Sequence, residues 1–139
     1  MLAELEKFTF SWTLPLRWSD IDELRHVNNA KYLTFFEDAR INYSRAVSEW
    51  DWTTEGFLVA AAHINYRRPL FLRDEPTVYV RTSKIGTKSF DMEYIIVSKS
   101  GELIADGTTV QVCIDMATFK PVAMPAHHRE RTIAYEKVI

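Results

Sequence analysis

The chain has little cysteine and glycine and no long apolar run. Of its 139 residues one is cysteine, Cys113, so no disulfide forms within the chain, and four scattered histidines add no Cys-rich zinc pattern. The longest apolar run, residues 57–62, is far shorter than the roughly 20 residues that a membrane-spanning helix needs. The first ten residues include Glu4 and Glu6 and lack a basic start followed by an apolar stretch. We therefore expect no signal peptide and a cytoplasmic protein.

Composition and charge indicate one folded domain over residues 1–139. Hydrophobic residues make up 47% and charged residues 26%, which is typical of a globular chain. Lys and Arg number 17 against 19 Asp and Glu, giving a net charge of -2. Because a nucleic-acid binder normally carries a basic face, this balance argues against nucleic acid as a partner.

One long helix is predicted from Ala30 to about Trp50. Asn28 and Asn29 precede it, and an asparagine side chain can accept a hydrogen bond from a free N–H at a helix start. Such a helix would be about 30 Å long at 1.5 Å per residue. Its apolar residues recur at steps of three and four, at Tyr32, Leu33, Phe36, Ala39, Tyr43, Ala46, Val47 and Trp50.

The rest of the chain alternates apolar and polar residues, as strands do. We expect a first strand before the helix, over residues 7–18, and four antiparallel strands after it, over about 58–68, 78–83, 90–99 and 104–116. Residues 99–102 predict a hairpin turn, and His127 and His128 are expected in a solvated tail. This order indicates an α+β fold whose sheet exceeds what one helix covers, so we expect at least a dimer.

The densest polar cluster lies between the first strand and the helix. Asp22 and His26 stand four residues apart, and the backbone N–H groups of residues 29–31 open the helix without intrahelical acceptors. Such N–H groups can polarise a carbonyl, and a carboxylate can attack that carbonyl or activate water. From the residues alone, a cap and a turn explain the same cluster.

The chain resembles hotdog-fold thioesterases of the 4-hydroxybenzoyl-CoA thioesterase type over almost its whole length. Downstream stretches at residues 64–70, 85–89 and 115–121 are similar to the family's later strands and final turn. Residues 26–29 are also similar to the His-Val-Asn-Asn stretch of acyl-ACP thioesterases. The signature is Asp20-x-Asp22-x-x-x-His26-Val27-Asn28-Asn29-x-x-Tyr32 followed by Phe35-Phe36-Glu37-x-Ala39-Arg40.

The resemblance implies a hotdog fold, in which an antiparallel sheet of five to six strands wraps around one long central helix and pairs into a dimer with two shared active sites. It maps the catalytic carboxylate onto Asp22 rather than Asp20, and the carbonyl-polarising N–H onto Asn29 or its neighbour. Arg25 occupies a position where the family often has glycine, which leaves the substrate open.

Further site residues follow from the same resemblance. His26 is expected to orient Asp22 or the water, to hydrogen-bond the thioester, or to bond the backbone of the loop. Carboxylates on the helix, Glu37 and Asp38, are expected to be solvated or structural. Candidate substrate-binding residues are Asn28 and Tyr32 near the helix start, Arg67 and Lys88 (with Arg68 and Lys84) for the phosphates of CoA, and Ser89 for its pantetheine arm.

The expected function is acyl-CoA thioester hydrolysis, which requires no metal or redox cofactor. The expected assembly is a homodimer or homotetramer, with no membrane partner. Two alternatives stay open: an acyl-ACP thioesterase, and a non-catalytic dimer that binds acyl-CoA. The sequence leaves open the acyl group and the choice between nucleophilic attack and general-base hydrolysis.

Overall fold

The computed structural model describes residues 3–139, which form one antiparallel sheet of five strands and two helices. The strand order is β1-β3-β4-β5-β2. The predicted order of a strand, a helix and four antiparallel strands is confirmed. The elements are β1 (Phe10–Thr13), α1 (Tyr32–Val47), β2 (Glu55–Tyr66), β3 (Thr77–Ile85), β4 (Ser89–Val97), β5 (Leu103–Asp115) and α2 (Ala126–Tyr135).

The long helix α1 packs its apolar face against the sheet, as the hotdog fold requires. Phe36 is buried and its ring stacks on Tyr94 of β4 with centroids 4.2 Å apart. Each such buried aromatic contributes about 1.5–3 kcal/mol. The buried face consists of Tyr32, Phe35, Phe36, Ala39, Arg40, Tyr43, Ser44 and Val47.

The helix is shorter than predicted at both ends. A 3-10 turn, Asn29–Lys31, leads into it, and the helix ends at Val47. Glu49 takes a left-handed conformation (φ 52°), which ends the helix before Trp50.

The strands lie close to the predicted ranges, except that the first is shorter. β1 covers Phe10–Thr13 only, because its partner β3 begins at Thr77, opposite Thr13, and Pro15 cannot donate to a ladder. Lys7 instead belongs to a 3-10 helix, Ala3–Lys7. The predicted hairpin turn between β4 and β5 is present, with Gly101 at φ 88°.

Strand β2 is an edge of the sheet, and its centre is uncovered. Its ladder partner in the described chain is β5. Residues 58–63 are all exposed, although five of the six are apolar, and Leu58 and Val59 are 47% and 43% exposed. An apolar strand with an open backbone edge is a pairing surface for another strand.

The C-terminal residues form the helix α2, so the expected solvated tail is wrong. His128 lies in its first turn and is fully buried, because its ring stacks on Trp50 with centroids 3.9 Å apart. The helix has a weak sequence signal because the residues that it buries, His128 and Thr132, are polar.

Over residues 3–139, no helix is both long enough and apolar enough to cross a membrane.

Candidate active site

A tight loop between β1 and α1 holds Asp22 and His26. The N–H of Asp22 donates to the carbonyl of His26 (2.9 Å), and Ile21 pairs with Val27 in an isolated bridge. The N–H of Val27 donates to the carbonyl of Leu70 (2.8 Å), which attaches the loop to the segment after β2. The backbone therefore fixes where both side chains emerge.

Asp22 is a partly exposed carboxylate beside an imidazole. Its Oδ1 accepts from the N–H of Leu24 (2.9 Å) and lies 3.3 Å from Nδ1 of His26. The side chains of Asp22 and His26 are each 24% exposed. Within residues 3–139, nothing donates a hydrogen bond to Oδ2 of Asp22, so this oxygen can reach a water molecule or a substrate.

Asp20, two residues earlier, is a structural residue. It is 1% exposed, and its Oδ2 accepts from the N–H of Arg17 (2.9 Å). Its carboxylate also lies 3.9 Å from Nζ of Lys31. Because Asp20 is buried and the Asp22 side chain is 24% exposed, Asp22 is the accessible carboxylate of the pair.

The start of the helix leaves one N–H free. The Asn28 side chain accepts from the N–H of Ala30 (2.8 Å), and its carbonyl accepts from the N–H of Lys31 (2.9 Å). Asn28 is therefore a cap, one of the two roles left open for it. The N–H of Asn29 makes no hydrogen bond with any described residue, so it is the free donor at the positive end of the helix.

A cleft of about 260 Å³ is lined in part by Asn29. Tyr66, which is not among the predicted site residues, closes one side of the cleft. Its hydroxyl donates to the carbonyl of Asn29 (3.2 Å), and its ring packs edge-on against Tyr32 with centroids 4.9 Å apart. The structure brings His26, Asn29, Tyr32 and Arg67 together here. Asp22 is not among the lining residues; its carboxylate lies 3.3 Å from the His26 imidazole, which lines the cleft. The lining is His26, Val27, Asn29, Tyr32, Tyr66, Arg67, Arg68 and Pro69.

Tyr32 is a wall of the cleft. Burial, with the charge of Tyr66, raises the pKa of Tyr32 to about 12. The phenol is therefore neutral at physiological pH.

The two arginines of the cleft are already paired. Arg67 bonds Asp106 (2.7 Å), and Arg68 makes two bonds to Asp74 (3.0 and 3.1 Å) and contacts Glu102 (2.9 Å). Burial opposes the charge on Asp106, but the hydrogen bonds from Arg67 and Asn65 outweigh it and lower the pKa of Asp106. The rim of the cleft therefore carries little uncompensated positive charge.

A second groove, of about 590 Å³, borders the same loop. Trp18 is 80% exposed there. Arg25 has a φ of 64°, the left-handed conformation that glycine adopts without strain. This conformation explains physically why glycine suits this position of the loop. The lining is Trp18, Ile21, Arg25, Phe71, Leu72 and Arg73.

Lys88 and Ser89 lie at the other end of the sheet within one chain. Ser89 pairs with Val112, and Val112 with Leu58, whereas the cleft is at the Tyr66 end of β2. Tyr66 lies eight positions after Leu58 along the strand, which is about 25 Å. One chain alone therefore does not bring Lys88 or Ser89 to the cleft.

An imidazole and an N–H without an acceptor at one cleft, with a carboxylate beside the imidazole, suit the addition of water to a carbonyl. The N–H can stabilise the oxyanion that forms, and the carboxylate can accept a proton from water or attack the carbonyl itself.

Comparisons with known proteins point the same way. The sequence model of the thioesterase-like superfamily matches residues 16–132. The chain is 34% identical to the long-chain acyl-CoA thioesterase FadM of Escherichia coli (strain K12), over 85% of this chain and 92% of the relative. It is 30% identical to the acyl-CoA thioesterase YbgC of Haemophilus influenzae, over 84% and 88%. A crystal structure of a thioesterase from Thermus thermophilus, complexed with coenzyme A and zinc, superposes with a TM-score of 0.85 at 37% identity, covering 94% of this chain and 96% of that one.

Proposed function

Because the chain belongs to the thioesterase-like superfamily, we propose that it is an acyl-CoA thioesterase, which hydrolyses an acyl-CoA to a carboxylic acid and CoA. The names of its relatives support the reaction and the carrier. The observation that carries the proposal is the free N–H of Asn29, which opens a helix beside a cleft and next to a carboxylate–imidazole pair.

In this mechanism the thioester carbonyl lies against the N–H of Asn29. Asp22 removes a proton from water as the water oxygen attacks the carbonyl carbon, or attacks that carbon directly. His26 orients the carboxylate through its contact at 3.3 Å. Collapse of the tetrahedral intermediate breaks the carbon–sulfur bond and releases the CoA thiolate, which takes up the proton that Asp22 removed from water. In the direct route, collapse leaves an anhydride between the acyl group and Asp22, the thiolate takes a proton from solvent, and water then hydrolyses the anhydride to the carboxylic acid and the free Asp22 carboxylate.

We propose that the active form is a homodimer joined through β2. An antiparallel pairing of two β2 strands about their midpoint covers the exposed, mostly apolar residues 58–63. It also sets the residue-58 end of one copy beside the residue-66 end of the other. Lys88 and Ser89 of the second copy then approach the cleft, where they can contact CoA.

The names of the relatives favour CoA over acyl carrier protein as the carrier. Acyl carrier protein is acidic, and its docking needs a basic rim. Arg67 and Arg68 are neutralised by Asp106, Asp74 and Glu102. The kcat/KM for one acyl group on both carriers tests this preference, and a higher value on acyl carrier protein contradicts it.

The Asp22→Asn variant tests the role of the carboxylate. Asparagine keeps the shape and can still accept from Leu24, but it cannot act as a base, so we expect kcat to fall by about 10²–10⁴. The assay measures thiol release from short, long and aromatic acyl-CoAs.

The matched control is Asp38→Asn, which removes an exposed carboxylate from α1 and should keep the wild-type rate. A wild-type rate in Asp22→Asn, or a loss in Asp38→Asn alone, contradicts the assignment. Tight binding of acyl-CoA by the wild type without turnover favours the non-catalytic alternative.

A further inference from the structure

Three side chains with metal-ligating atoms meet where α2 packs on the start of β2. They are Glu55, the first residue of β2, and His127 and His128, in the first turn of α2. Their ligand atoms all lie within 4.8 Å of one another. Nε2 of His127 is 3.3 Å from Oε1 of Glu55, and Nε2 of His128 contacts the same oxygen.

The surroundings fix the orientation of His128. The ring is fully buried and stacks on Trp50 with an interplanar angle of 10°. Its Nδ1 is 3.0 Å from the carbonyl oxygen of Ser48. Because a carbonyl only accepts, Nδ1 carries the hydrogen of this bond. In a neutral ring, Nε2 then presents its lone pair to Glu55.

Two imidazole nitrogens and a carboxylate oxygen, all able to act as acceptors, lie close together here. The lone pair of Nε2 and a carboxylate oxygen repel each other unless a positive charge lies between them. A proton on His128 satisfies that pair alone, whereas His127 adds a third ligand atom near the same oxygen. A backbone carbonyl that orients the second nitrogen of a ligating imidazole is the usual support of a metal-bound histidine.

We propose that Glu55, His127 and His128 bind a divalent transition-metal ion, with Zn²⁺ the best match. Two imidazole nitrogens and one carboxylate oxygen form a donor set that suits zinc. His127 is 55% exposed in its side chain, which leaves an entry path and room for water as a fourth ligand.

The site is separate from the cleft within one chain and joins two elements. Tyr66 lies eleven positions after Glu55 along β2, which is about 35 Å. The ion would tie α2 to β2. Since an ion that binds only the folded state stabilises it, zinc should raise the unfolding temperature.

The test is zinc binding by the full-length protein after treatment with a chelator. Equilibrium dialysis should give one Zn²⁺ per chain at this site, and zinc should raise the unfolding temperature. His127→Ala leaves the buried ring of His128 in place and should weaken this binding by about tenfold or more. His63→Ala removes an exposed histidine from the middle of β2 and should leave binding at the site unchanged.

Co²⁺ supplies a second readout, because tetrahedral nitrogen and oxygen ligation gives intense visible absorption. The absorption should appear in the wild type and in His63→Ala and be lost in His127→Ala. Absence of stoichiometric binding, or equal binding by the wild type and His127→Ala, overturns the proposal and leaves a hydrogen-bonded His128–Glu55 pair.

Discussion

At residue 22, one carboxylate serves both the loop and the proposed chemistry. Oδ1 of Asp22 closes a turn by accepting from Leu24, while Oδ2 has no donor among residues 3–139. The cap-and-turn explanation of this segment and the catalytic one are therefore compatible. Asn28 is a cap, and its capping leaves the neighbouring N–H of Asn29 free.

Residue 25 gives a prediction about backbone strain. A left-handed conformation costs a residue other than glycine about 1–2 kcal/mol. Arg25→Gly and Arg25→Ala lose the same side chain, so their difference isolates the backbone. We expect the glycine variant to be more stable by about 1 kcal/mol, measured by urea unfolding with unchanged m-values. Equal stability of the two variants would show that the loop takes another conformation in solution.

At the scale of single elements, the sequence predicts the helices and strands whose apolar residues recur with a strong period. β3, β4 and β5 bury one face against α1, so their side chains alternate in the printed sequence. α2 buries polar residues and lacks that signal. Its packing partner Trp50 lies 78 positions before His128, and no local pattern reports such a contact.

The candidate site divides in the same way into a local part, which the sequence predicts, and a long-range part, which it does not. The signature identified the loop and the helix start, whose residues are close in sequence. Tyr66 and the remote placement of Lys88 and Ser89 depend on strand register, which spacing along the chain does not fix.

The segment that supports the loop gives a prediction about pH. Asp74 accepts two hydrogen bonds from Arg68 and one from the N–H of Phe71 (2.8 Å). Burial of Asp74 disfavours its charge, but these bonds outweigh it and lower the pKa of Asp74 below its usual 3.8. A depressed pKa adds stability above the unfolded value, and this stability is lost as pH falls through the folded value.

We therefore expect Asp74→Asn to lose about 1.5–3 kcal/mol of unfolding free energy at neutral pH, where the charged hydrogen bonds are intact. The difference from the wild type should shrink as pH falls below 3.8 toward the folded pKa. Urea unfolding at a series of pH values measures both. Glu75→Gln, which removes an exposed pair with Lys99, should change stability by less than about 1 kcal/mol. A difference independent of pH would contradict the account.

At the scale of the whole molecule, the edge of β2 has no strand partner among residues 3–139 on the side away from β5. One helix covers one face of the sheet, while residues 58–63, five of them apolar, stay exposed. The proposed dimer accounts for this exposure and for the separation of Lys88 and Ser89 from the cleft.

A charge on that edge tests the dimer. Val59→Lys places two like charges near the two-fold axis, so we expect the dimer dissociation constant to rise about tenfold or more, since about 1.4 kcal/mol corresponds to a factor of ten. Sedimentation measures assembly, and kcat/KM should fall in proportion to the dimer lost. Ser11→Lys places the same charge on the opposite edge, in β1, and should change neither. A monomeric wild type with full activity contradicts the proposal.

The most direct test of the proposed mechanism is the Asn29→Pro variant, because proline removes the backbone N–H and nothing else that the helix start needs. Proline suits the first residue of a helix, and Asn28 already has φ -61° and ψ 134°, the conformation favoured before proline. The carbonyl that accepts the hydrogen bond of Tyr66 is retained.

The control is Asn29→Ala, which keeps the N–H and removes the side chain. We predict that kcat for acyl-CoA hydrolysis falls by about 10²–10³ in Asn29→Pro and stays near wild type in Asn29→Ala. A folded Asn29→Pro variant with the wild-type rate would contradict the claim that this N–H stabilises the oxyanion.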